Sequence, residues 1–140
     1  MTNYPLKLNL RIDWSEMDLY GHVNNVSYFK YIQAARVNYW EKMGLNHMFK
    51  EKSLGPILAS SACNFIRPLH YPDNILVQSG VESIGNSSFV ILHQILNGSG
   101  TVCAEAKDVV VMFDFKRNTK MAVPEEIRNL IESMEASAKI

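Results

Sequence analysis

The chain has 140 residues, 47% of them hydrophobic and 20% charged, with 14 basic and 14 acidic side chains for a net charge of zero. That length suits one domain with a sizeable core spanning 1–140, and the charge balance lacks the basic excess of binders of nucleic acid or anionic membranes. No run of about 18 apolar residues could cross a bilayer, and the first residues show no basic segment leading into an apolar one, so the expected location is cytoplasmic.

The first element is expected over 6–14. Leu6, Leu8, Leu10, Ile12 and Trp14 alternate with Lys7, Asn9, Arg11 and Asp13, the period of two of a half-buried strand. A polar turn ends in Asn24-Asn25. Residues 26–43 then run without Gly or Pro and stop at Gly44. Asn favours the cap position before a helix and Gly the position just past one, so a single helix of about 27 Å is predicted there. Phe29, Ile32, Val37, Trp40 and Met43 are joined on it by Tyr28, Tyr31, Ala34, Ala35 and Tyr39. So wide an apolar surface predicts burial on most sides, inside a curved sheet.

The rest of the chain supplies the sheet. Residues 56–67 are apolar and Ser-rich, and Pro68 and Pro72 bracket a loop. Ile75, Val77 and Val81 alternate up to Gly85-Asn86-Ser87; Phe89, Ile91 and Ile95 alternate with Val90, Leu92 and Leu96 up to Asn97-Gly98-Ser99-Gly100; a further strand covers 101–115. Short turns favour an antiparallel meander. Pro124-Glu125-Glu126 opens a short helix whose packing face is Ile127, Leu130, Ile131 and Met134. The predicted class is α+β, a curved antiparallel sheet wrapped around one long helix with a short helix at the end. Such a sheet leaves an open edge, which pairing with a second copy would cover, so a homodimer or homotetramer is expected.

Few residues invite chemistry. Cys63 and Cys103 lie in apolar runs and read as reduced core thiols. His22, His47, His70 and His93 are scattered without metal spacing, so no metal is expected. The informative segment is Asp18-Leu19-Tyr20-Gly21-His22-Val23-Asn24-Asn25, followed by Val26-Ser27-Tyr28. It delivers a carboxylate to the start of a helix, where the first N–H groups lack intrahelical partners and the helix dipole adds positive charge. A carbonyl oxygen docked there would be polarised, and Asp18 could act as base or nucleophile. Local physics equally allows Asp18 as a turn residue, Asn24 and Asn25 as caps, and His22 as a hydrogen-bonded structural group.

This segment resembles the signature of hotdog-fold acyl-CoA thioesterases of the 4-hydroxybenzoyl-CoA thioesterase family: an Asp, two variable residues, a Gly, the helix start and an aromatic residue. His22-Val23-Asn24-Asn25 is similar to the branch holding long-chain acyl-CoA thioesterases and plant acyl-carrier-protein thioesterases. Weaker similarities follow in order: Asn64-Phe65-Ile66-Arg67-Pro68 with Tyr71-Pro72-Asp73, then Gly85-Asn86-Ser87-Ser88, then Ala104-Glu105-Ala106. The resemblance implies a hotdog fold and hydrolysis of a thioester carried by CoA or acyl carrier protein, with no cofactor beyond the CoA of the substrate. It implies Asp18 as the catalytic carboxylate and Asn25 as the backbone donor to the carbonyl, with His22 beside them. Asn24, Val26, Tyr28, Asn64, Arg67 and Ser88 are implied in substrate binding, the last three near a partner subunit or the CoA arm. Some branches place a His where this chain has Asn25, so a mechanism built on that His would not transfer. Hydration of an acyl thioester and non-catalytic acyl-CoA binding are the alternatives.

Overall fold

The computed structural model describes residues 2–138. Strand β1 (Leu6–Arg11) leads through a short 3-10 turn (Trp14–Glu16) to helix α1 (Asn25–Met43) and helix α2 (Leu45–Lys52). Strands β2 (Leu54–Phe65), β3 (Asn74–Ile84), β4 (Ser88–Leu96), β5 (Val102–Asp114) and the two-residue β6 (Thr119–Lys120) follow, then helix α3 (Glu125–Ser137). All pairings are antiparallel, in the order β1-β3-β4-β5-β2, with β6 beside the end of β5. Strands β3 to β5 form the expected meander, and β2 crosses to the far side of β5. One side of the sheet packs on α1. The core has two parts, one under the first half of α1 around Tyr31, Ile32, Ile75 and Ile95, the other under its second half around Tyr39, Phe89, Ile91 and Met112. Each large apolar side chain so enclosed contributes about 1.5–3 kcal/mol.

Four expectations need correction. The first strand ends at Arg11, and Trp14 is 76% exposed instead of continuing the buried side. Asp13 accepts from the Ser15 N–H while Glu16 accepts from the Asp13 N–H, a reciprocal cap that turns the chain out of the sheet. Helix α1 is buried on one face only, through Ser27, Tyr28, Tyr31, Ile32, Ala35, Tyr39 and Met43, whereas Val26, Phe29 and Val37 are exposed. Helix α2 was not foreseen. Gly44, at φ 69, ends α1 in the left-handed conformation that suits glycine, and the chain restarts as a helix at once. In α3, Pro124 is the cap residue and not the first helical one, and Leu130 of the expected packing face is exposed. Both cysteines are free thiols, Cys103 buried and Cys63 half-buried.

A closed polar cluster pins the middle of α1 to the sheet. Asp108 on β5 is fully buried and accepts from Arg36 Nη1 at 2.8 Å, Ser61 Oγ at 2.7 Å and His93 Nε2 at 2.8 Å. His93 Nδ1 meets Ser79 Oγ at 2.7 Å. His93 thus bridges Asp108 and Ser79 through its two ring nitrogens. Burial opposes the Asp108 charge, but the bonds from His93, Ser61 and Arg36 outweigh it and hold its pKa below the usual carboxylate value.

Candidate active site

The segment before α1 is folded by its own backbone. Asp18 Oδ1 accepts from the Tyr20 N–H at 2.8 Å and the His22 N–H at 3.1 Å, and the Asp18 N–H donates to the His22 carbonyl at 2.7 Å. Gly21 takes φ 81 inside this turn. Met17 and Val23 form an isolated antiparallel bridge that closes the base of the turn. Asp18 is therefore a turn residue, and its second carboxylate oxygen carries no hydrogen bond from the described residues.

Asn24 is the cap. Its Oδ1 accepts from the Ser27 N–H at 3.0 Å, and its amide nitrogen donates to the Glu16 carbonyl at 3.1 Å. The helix starts at Asn25, and within the described residues no hydrogen bond engages the N–H of Asn25 or Val26. Those two free donors, at the positive end of a helix of about 28 Å, make the start of α1 electrophilic.

Beside them lies a cavity of about 410 Å³ lined by Asp18, His22, Val23, Asn25, Tyr28, Phe65, Ile66, Arg67 and Pro68. Five of the nine residues proposed from the sequence thus share one cavity: Asp18, His22, Asn25, Tyr28 and Arg67. Tyr28 is buried and its hydroxyl accepts from the Leu69 N–H at 3.1 Å, so it anchors the loop after β2 and floors the cavity with its ring. Burial raises its pKa. Among the described residues Arg67 has no ion pair; Asp73 instead accepts from the N–H groups of Asn74 and Gly98. Asn24 acts from behind as the cap, and Val26 is 65% exposed at the start of α1. Asn64 and Ser88 are outside the cavity. Asn64 is exposed on β2, and Ser88 pairs with Val111 near the opposite end of the sheet from Phe65, which pairs with Ala104.

Three contributors were not among those nine residues. The His70 ring meets His22 edge-on, with centroids 5.0 Å apart, and its Nδ1 lies 3.3 Å from the Gly21 carbonyl. Phe65 packs edge-on against Tyr28 at 5.0 Å. Glu16 is buried and accepts from Tyr31 Oη at 2.7 Å and Lys30 Nζ at 3.2 Å, bracing the turn against α1. Burial opposes its charge, but the Asp13 N–H, Tyr31 and Lys30 together keep its pKa below the usual value. The Asp13-to-Glu16 spacing was its only visible signal. Among the described residues no three His, Cys, Asp or Glu side chains gather closely enough to hold a metal ion.

The profile of the Thioesterase-like superfamily matches residues 12–131, which takes in the turn, the cavity and the whole sheet after β1. The chain belongs to this superfamily. It is 23% identical to the long-chain acyl-CoA thioesterase FadM of Escherichia coli over 92% of this chain and 98% of that protein. Among solved structures it resembles the PA2801 protein of Pseudomonas aeruginosa, with TM-score 0.80 and 28% identity over 89% of this chain and 96% of that one. It also shares the fold of a Thermus thermophilus thioesterase solved with coenzyme A and zinc, at TM-score 0.84 and 23% identity, covering 97% and 98% of the two chains. The hotdog architecture and the class of thioester hydrolases expected from the opening motif stand on these likenesses. No described helix is long and apolar enough to cross a membrane.

Proposed function

We propose that the protein hydrolyses an acyl-CoA thioester to the free acid and CoA at the start of α1. The carrying observation is the cavity lined by both Asp18 and Asn25, at the helix start where the N–H groups of Asn25 and Val26 have no partner among the described residues. The thioester carbonyl oxygen docks on those donors, which stabilise the negative charge that builds on it during attack. Asp18, with one oxygen free, takes a proton from the attacking water or attacks the carbonyl carbon itself. The C–S bond then breaks, and the sulfur leaves as a thiolate, a fair leaving group with a thiol pKa near 8.5. Arg67, exposed at the rim and without an ion pair among the described residues, is placed to meet the anionic CoA arm, and acyl carrier protein is the other carrier of the same thioester. The enzyme works in the cytoplasm, where acyl-CoA is made and used.

The working unit is a homodimer, paired through β2. That strand has β5 on one side and no strand among the described residues on the other. It carries no charged residue over its 12 positions, and Ile57, Leu58 and Phe65 are exposed on it. A long, uncharged, apolar edge is an unstable surface in water unless another strand covers it.

The test is thiol release across short, long and aromatic acyl-CoAs by wild type and Asp18→Asn. The amide keeps the size and turn geometry but neither accepts a proton from water nor attacks a carbonyl. Turnover is expected to fall at least ~10²-fold with the melting temperature nearly unchanged. A lowered melting temperature with normal turnover in the folded fraction would confine Asp18 to its turn. Hydration of an enoyl thioester is the second reading, favoured by the His22–His70 pair at the cavity; loss of enone absorbance without free thiol would install it.

A further inference from the structure

Glu16 stands apart in the segment before α1. It is only 7% exposed, yet it does not line the Asp18 cavity. A carboxylate is rarely enclosed unless it is paired and hydrogen-bonded, so its contacts show what keeps it there. Oε1 accepts twice, from the Asp13 N–H at 2.8 Å and from Tyr31 Oη at 2.7 Å. Among the described residues Oε2 meets only Lys30 Nζ, at 3.2 Å, and that lysine side chain is 65% exposed. The two bonds to one oxygen therefore anchor the side chain, while the lysine adds little because water screens its charge. Tyr31 is itself buried, in the second turn of α1.

The main chain of Glu16 is engaged as well. Its carbonyl accepts from the Asn24 N–H at 2.9 Å and from Asn24 Nδ2 at 3.1 Å. Asn24 is the cap, next in the chain to the N–H groups of Asn25 and Val26. In the other direction only Met17 separates Glu16 from Asp18, and Met17 is held by its bridge to Val23. The Asp18 carboxylate and the helix-start donors thus hang from opposite sides of one residue. Glu16 sets their separation, and its bond to Tyr31 sets the place of Glu16 on α1.

Resting on the hydrolytic reading above, we infer that Glu16 is a positioning residue: through the Tyr31 hydroxyl, its buried carboxylate aligns Asp18 with a carbonyl docked on the Asn25 and Val26 N–H groups. Glu16 touches no substrate. What it supplies is alignment, and a displacement of about 1 Å at a reacting group can cost ~10² in rate. Because both anchoring bonds end on Oε1, the arrangement needs an acceptor at that point and not a charge. An amide oxygen serves; a carboxylate drawn back by one methylene does not.

Glu16→Asp, Glu16→Gln and Tyr31→Phe separate alignment from stability, with thiol release measured on the acyl-CoA that wild type hydrolyses fastest and divided by the folded fraction. Glu16→Asp keeps the charge and loses the reach. Its kcat is expected to fall at least ~10-fold with KM within about 2-fold, the split of an interaction felt in the transition state alone. Tyr31→Phe removes the donor, keeps the ring, and should show the same split. Glu16→Gln should recover kcat to within ~3-fold of wild type, because the neutral acceptor bonds more weakly but in the same place. Unchanged kcat per folded molecule in all three variants would make Glu16 merely structural and overturn the inference. So would a loss in Glu16→Gln as large as in Glu16→Asp, since charge and not alignment would then be its contribution. Amide hydrogen exchange over residues 17–26 reads the same alignment without turnover. It should be at least ~10-fold faster in Glu16→Asp than in wild type or Glu16→Gln, with residues 32–43 of α1 unchanged. If wild type releases no thiol from any acyl-CoA, the hydrolase reading fails, while exchange still decides whether Glu16 holds the turn. Unchanged exchange over 17–26 in Glu16→Asp overturns the inference whatever turnover does.

Discussion

Helix α1 carries two polar clusters about three turns apart, and they behave as opposites. At its middle, Ser79, His93 and Asp108 stand in a hydrogen-bonded row reminiscent of a hydrolytic triad, yet each is at most 1% exposed and none lines the cavity at Asp18. Every donor there has its acceptor. At its start, Asp18, His22 and Asn25 are exposed, and among the described residues one carboxylate oxygen is free and two backbone donors are unpaired. The closed cluster has no group left over for a substrate, and the open one has several. Residue type alone would have ranked them the other way, because Ser, His and Asp in a row suggest chemistry more readily than a turn and a helix end. Unspent hydrogen-bonding capacity facing a cavity is what separates a reactive site from a structural one.

The contrast is sharpest at the two aspartates. Asp108→Ala should leave the Arg36 guanidinium, only 12% exposed, without its partner. Removing one member of a buried ion pair costs about 3–5 kcal/mol, so the urea midpoint should drop sharply while turnover per folded molecule is retained. Asp18→Asn should do the reverse. A turnover loss in Asp108→Ala out of proportion to its stability loss would give the closed cluster a catalytic part. Ser79→Ala is the next step down. It removes the hydroxyl that serves His93, leaves a buried ring nitrogen unmet, and should cost about 1–3 kcal/mol with thiol release unaffected. Activity lost with full stability would turn the row into a working triad.

Acid should find both braces of α1. Asp108 and Glu16 have pKa values lower in the folded protein than when unfolded. The unfolded chain therefore binds their protons first, so their stabilisation is complete above the ordinary carboxylate range and is lost as pH falls through it toward the folded values. Thermal melts from pH 6 down to pH 3 should show a steady fall, less steep in Glu16→Gln, which starts lower at neutral pH. Parallel curves for wild type and variant would remove Glu16 from the acid response. The smallest effect is expected at His22. Its side chain makes no hydrogen bond among the described residues and meets the His70 ring edge-on, so His22→Gln should lower turnover less than ~10-fold, with a small loss of stability. A drop of ~10²–10⁴ at constant stability would mean that His22 carries protons.

Much of the fold was legible because it is local. The limits of α1 follow from Asn24, whose side chain caps one end, and Gly44, whose backbone closes the other. Alternation through β4 placed Phe89, Ile91 and Ile95 on the buried side, where they are found. The same alternation carried His93 to that side, though nothing near it in sequence names its partner. Trp14 misled because its spacing continued the strand pattern, while the cap between Asp13 and Glu16 had already ended it. Helix α2 was hidden by Gly44, a stop signal that here is also a corner.

By itself, then, the sequence determined the elements whose causes lie within a few residues: caps, turns, alternating strands, and a carboxylate delivered to a helix start. Only the tertiary structure decided which groups are spent and which are free. Asp108 finds Ser61 47 positions away and Arg36 72 positions away, contacts fixed by strand order and by the face α1 turns to the sheet. The same packing brings Phe65 and Arg67 to Asp18 across some 50 residues of chain and leaves β2 open at the edge. Local sequence sets backbone torsions, which are short-range. Burial and ion pairing depend on where distant segments come to rest, and hydrophobic burial is non-directional, so it drives that docking without encoding the pairs in any single stretch.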